Sequence, residues 1–144
     1  MASEETERSV LATIEAFESA AFRVGRVARR LLAEHPDLPV WEVRPFAATH
    51  PRPGSDTAQL ELASRTVDDV AAWAQALGTT PNVRFHDSPL TATGAFEFHL
   101  AAQTIDGVDV RIMATRSTTE EETAAWRAKT AEANDSAAAE GGEV

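Results

Sequence analysis

Glu97 and His99 stand two residues apart in the run Ala95-Phe96-Glu97-Phe98-His99-Leu100, with His86 and Asp87 shortly upstream. Alternation along a strand puts Glu97 and His99 on one face, where a neighbouring strand can bring His86 or Asp87 beside them. Three such oxygen and nitrogen donors can hold a divalent metal, or two can share acid–base work. The same residues have a plainer use, with Glu97 paired to Arg116 across a hairpin and His86 on a solvent face with Arg84. His35, before Pro36, reads as a helix-terminal residue near the negative end of the dipole, and His50, in Thr49-His50-Pro51-Arg52-Pro53, as part of a loop. The sequence has no P-loop, dinucleotide glycine fingerprint, HExxH or GxSxG elbow. It has no cysteine, which removes disulfides, thiolate metal sites and cysteine nucleophiles. No catalytic residue is assigned, and neither a metal nor a cofactor is expected.

The formal net charge of −10 over 144 residues opposes direct binding to nucleic acid, whose affinity comes mostly from neutralising phosphates. The charge is segregated. Glu4, Glu5, Glu7, Glu15 and Glu18 face only Arg8 in residues 1–18, whereas Arg23, Arg26, Arg29 and Arg30 face only Glu34 in residues 19–35. Basic residues are nearly all arginine in an alanine-rich chain, a coding habit rather than a sign of phosphate recognition. No apolar run is long enough for a membrane span and the first residues are acidic, so a cytoplasmic chain without membrane contact is expected.

The element that organises these charges is a helix over about residues 4–34. Val10, Ile14, Phe17, Ala21, Val24, Ala28 and Leu31 recur at alternating steps of four and three, a heptad seam. Ser3 is the expected cap, and His35-Pro36 ends the helix. Gly25, unfavourable in a helix interior, marks a close approach together with Ala21 and Ala28. The seam admits two uses: packing on the chain's own sheet, or pairing with another copy. In a pair, the antiparallel arrangement sets the acidic half of one helix against the arginines of the other. The interaction residues are therefore the seam together with Arg23, Arg26 and Arg30.

Five strands follow. The first alternates through Trp41 to Arg44 and ends at the edge-type Pro45; the second carries Ala58, Leu60 and Leu62 inward. Thr66 and Asp69 cap a short helix that buries Val67, Val70, Trp73, Ala74 and Leu77 and stops at Gly78. A third strand spans about Val83–Asp87. Asp106-Gly107 joins the last two strands as a two-residue hairpin turn. Pairing Ile105 with Val108 then sets Glu97 opposite Arg116, and leaves Phe96, Phe98, Leu100 and Met113 on the other face. A last helix, about 119–133, starts at the Thr119–Glu122 capping box and has Trp126 as its one large apolar residue.

The predicted architecture is a single α+β domain over 1–133 with a mainly antiparallel sheet, followed by a flexible acidic tail over 134–144. The stretch Ala72-Trp73-Ala74-Gln75-Ala76-Leu77-Gly78, followed by a long strand–Asp-Gly–strand hairpin, resembles small α+β proteins of high-GC actinobacteria and their mobile elements over about residues 60–115. That resemblance implies no particular chemistry. The sequence points first to a non-enzymatic interaction or regulatory protein, acting as a homodimer or as an adaptor for another protein. Two other classes are open: an acidic inhibitor that mimics nucleic acid towards a DNA-binding protein, and a small-ligand binder or hydrolase using His86, Glu97 and His99.

Overall fold

A computed structural model describes residues 7–54 and 56–141. Three helices and five strands follow in the order α1 (Val10–Glu34), β1 (Glu42–Ala48), β2 (Thr57–Ala63), α2 (Val67–Leu77), β3 (Asn82–Asp87), β4 (Ala95–Ile105), β5 (Val108–Ser117) and α3 (Glu120–Gly141). The strands form one sheet in the order β1-β2-β5-β4-β3, with β1 and β3 at its edges. The α+β expectation holds, and the sheet is mixed. β1 runs antiparallel to β2, but β2 and β5 are parallel, with Leu60 beside Val110 and Leu62 beside Ile112. The crossover through α2 carries the chain to the far edge, and β3, β4 and β5 then step back inward. Only that return decides what meets β2, so local patterning carries no trace of the parallel pair.

By contacts the chain divides into two compact units, residues 7–82 with His99–Ala114 and Val83–Phe98 with residues 115–141. In the first, alternation in β2 and β5 places Leu60, Leu62, Val108, Val110 and Ile112 inward, all fully buried. Val24, Val27 and Leu31 of α1 and Val70, Trp73 and Ala74 of α2 close over them. Trp73 satisfies its indole N–H on the Pro39 carbonyl at 3.3 Å, and the His35 ring meets it edge-on. Thr66 caps α2 by accepting from the Asp69 N–H, and Gly78 ends it in the left-handed region at φ +71°. Asp106 and Gly107 have φ of +50° and +76°, as a two-residue primed turn requires.

Three expected boundaries move. α1 starts at Val10 with Ser9 as its cap, its hydroxyl accepting from the Ala12 N–H; Ser3, Glu4 and Glu5 lie outside the described residues. β1 does not stop at Pro45 but continues to Ala48, because an edge strand loses nothing from its sheet when the missing N–H faces outward. The last helix extends from the predicted 133 to Gly141.

The second unit holds β3, the outer ends of β4 and β5, and α3. Thr119 and Glu122 exchange hydrogen bonds at 3.1 Å each, forming the predicted capping box. Trp126 stacks on Phe85 with ring centroids 5.4 Å apart. Thr118 and Thr123 are also buried; the Thr118 hydroxyl donates to the Ala95 carbonyl and lies 2.6 Å from that of Thr123. The docking of α3 therefore uses polar groups that an apolar count overlooks.

Candidate protein-interaction surface

The heptad seam of α1 does not serve one purpose along its length. Its C-terminal part, Val24, Ala28 and Leu31, packs into the core, while Val10, Ile14, Phe17 and Ala21 stay exposed. Geometry explains the split. A strict seven-residue repeat drifts by about 20° per heptad around a helix of 3.6 residues per turn. From Val10 to Leu31 the seam therefore turns by roughly 60°, leaving the outer face at one end and entering the core at the other. Ala20 and Val27, outside the predicted seam, take the buried places it leaves.

The exposed part is substantial. Val10 is 81% exposed, Ile14 49% and Phe17 46%. Across from them, β1 presents Phe46 at 54% exposure. Between helix and strand lies an open groove of about 430 Å³ lined by Phe17, Ala21, Val24, Gly25, Pro45, Phe46 and Ala47. Its strand side was not legible as a site, because β1 was expected to end where this groove begins. Pro45 does more than end a pattern: a proline in the middle of an open edge removes a donor that an added strand would need.

This surface is held firmly at its N-terminal end. Arg8 donates to Asp56 at 2.7 Å, and the Thr49 hydroxyl donates to the Thr13 carbonyl at 3.1 Å, tying the first turns of α1 to the loop after β1. The hydrogen bond from Arg8 holds the Asp56 carboxyl below the usual carboxylate range, and Asp56 in turn raises the Arg8 guanidinium.

The arginine run divides as well. Arg30 bonds Asp106 at 2.8 Å and lies near Glu34, and Arg23 reaches over the hairpin turn at Gly107. Arg26 and Arg29 make no ion pair among the described residues, nor do Glu15 and Glu18. Among the described residues of this helix, Glu15 and Glu18 and the arginines Arg23, Arg26 and Arg29 are therefore without an ion pair.

The histidine and carboxylate candidates have other employment. Arg116 donates through Nε to Glu97 at 2.9 Å and through Nη1 to Glu122 at 3.0 Å, so the Glu97 carboxylate neutralises a cation. The bond from Arg116, and after it that from the Thr119 N–H, holds Glu122 down at about 2, and the bonds to Glu122 and then Glu97 raise Arg116 further above its ordinary value. His86 stacks on Phe96 at 5.2 Å and meets Phe98 edge-on. His99 is half-buried on β4, and His50 sits in the loop beside Asp56. No group of three His, Asp or Glu among the described residues is arranged to hold a metal ion, and no described helix is long and apolar enough to cross a membrane. No protein family, curated protein or solved structure matches the chain.

Proposed function

We propose that this is a non-enzymatic interaction protein whose working surface is the exposed half of α1 together with β1. The observation that carries the reading is the continuous apolar face running from Val10 through Phe17 into the groove at Phe46. Contiguous apolar surface of this kind costs solubility unless a partner covers it, and it is the usual mark of a protein contact. The hydrogen bonds that tie the first turns of α1 to the loop after β1, Arg8 to Asp56 and Thr49 to Thr13, support it, since a preorganised face loses less entropy on docking. The engagement of Glu97 by Arg116 weighs against the small-ligand or hydrolase reading that uses His86, Glu97 and His99.

The test is site-specific photocrosslinking in cells. With p-benzoylphenylalanine at position 14 or 46, adducts should form that are absent with the same group at the exposed position 68 of α2. Their absence from both 14 and 46 would overturn the reading.

A further inference from the structure

Resting on that interaction reading, we infer that the occupant of the groove is a second copy of this chain, bound through an antiparallel α1–α1 contact with its two-fold axis at Ala21. The stripe of α1 that the core leaves exposed or only half-buried follows Val10, Ile14, Phe17, Ala21, Gly25, Ala28 and Leu32, with Gly25 and Ala28 the half-buried members; its steps keep to the helix's own period and so stay on one side. Large residues fill its first half, Ala21, Gly25 and Ala28 follow, and Leu32 ends it. Reversing one copy about Ala21 sets Phe17 against Gly25, Ile14 against Ala28 and Val10 against Leu32. Each bulky side chain then meets a small or flexible one, and both halves of the contact are made twice, as a two-fold interface demands.

Gly25 supplies an observation that the chain's own fold does not use. A Cβ built there would meet only the Arg29 side chain, at 3.8 Å, an ordinary contact. A glycine is thus kept inside a helix at a place where this copy leaves room for a side chain. Gly25 also lines the groove whose far wall is Pro45 and Phe46, so the incoming Phe17 ring has a slot between helix and strand. Charge selects the same orientation. Reversal about Ala21 sets the half of one helix that carries Glu15 and Glu18 against the half of the other that carries Arg26 and Arg29, whereas a parallel pair stacks like on like. Pro45 at the open edge disfavours continuation of the sheet by strand addition, leaving the helix face as the means of contact.

The chain has no cysteine, so a nitroxide can be attached at one position. With Ala33→Cys, on the helix face away from the stripe, pulsed electron–electron resonance should give a label separation of about 36 Å, from the helical rise on both sides of Ala21. A parallel pair would give less than about 25 Å, from interaxial spacing plus the linkers. Gly25→Leu in the same background should erase the distance while leaving the circular dichroism unchanged. Glu15→Arg with Glu18→Arg should weaken the pair, because the acidic half then repels the arginine half of the other copy, and adding Arg26→Glu with Arg29→Glu should restore it. A short separation, no separation at all, or a distance that survives Gly25→Leu would overturn the proposal. If no dimer forms but crosslinks from position 14 persist to other proteins, the second-copy occupant fails and the interaction reading stands; if both are lost, both fail.

Discussion

Replacing Gly25 with alanine separates what the fold needs from what its surface is for. Glycine in a helix interior costs about 1 kcal/mol relative to alanine, through unfolded-state entropy and lost helix propensity. Recovering that amount needs space for one methyl group, and the nearest atom is the end of the Arg29 side chain at 3.8 Å. In dilute solution, where association is negligible, Gly25→Ala should therefore stabilise the folded chain by about 0.5–1 kcal/mol. For a chain of this length that corresponds to a rise in Tm of about 2–5 °C. Urea denaturation followed by far-ultraviolet circular dichroism, repeated over a range of protein concentrations, is the assay. Gly78→Ala is the control: at φ +71° a side chain is strained and the same change should destabilise. A loss of stability for Gly25→Ala at low concentration would refute the reasoning, because it would mean the chain's own packing occupies the space beside Gly25.

Three further outcomes are expected. Leu62→Ala, at a fully buried position between β1 and β5, should cost about 2–5 kcal/mol in urea denaturation; a loss well below that range would contradict its place in the core. Glu122 is held at about 2 in the folded chain against its ordinary 4.5, so over that interval the unfolded state binds more protons and stability rises with pH. Its contribution is thus full above about 4.5 and fades as pH falls towards 2; the Trp126 indole resonance should shift in that interval and stay still between pH 7 and 5. Trp126→Ala removes the stack on Phe85 and should speed amide exchange across residues 119–133 while the exchange of β2 and β5 stays slow; equal protection before and after would show that the threonine cluster alone docks α3.

Much of this architecture was legible because local chemistry decides it. The Asp106-Gly107 turn, the Thr66 and Thr119 caps and the Gly78 stop depend on a few adjacent residues, and each formed where its chemistry predicts. The Glu97–Arg116 pair followed from hairpin register alone. What could not be read depends on distant partners. Whether Val10, Ile14 and Phe17 face the core or solvent turns on the drift of the seam against a sheet formed by residues far along the chain. Continuation of β1 past Pro45 depends on β1 lying at an edge, which is a property of strand order. The groove joins these two undetermined features, so its helix wall was legible and its strand wall was not.

The central claim, that two copies of the chain meet through the exposed half of α1, is tested most directly by sedimentation equilibrium of the wild-type chain beside Phe17→Glu. Phe17 is nearly half exposed, so a charge there leaves the folded chain intact while placing an unpaired carboxylate in the centre of the proposed contact. The account predicts a wild-type mass that rises with concentration towards twice 15.5 kDa, and a folded Phe17→Glu variant that stays at 15.5 kDa throughout. A wild-type chain that remains a monomer at the highest soluble concentration, or a dimer indifferent to Phe17→Glu, would contradict it.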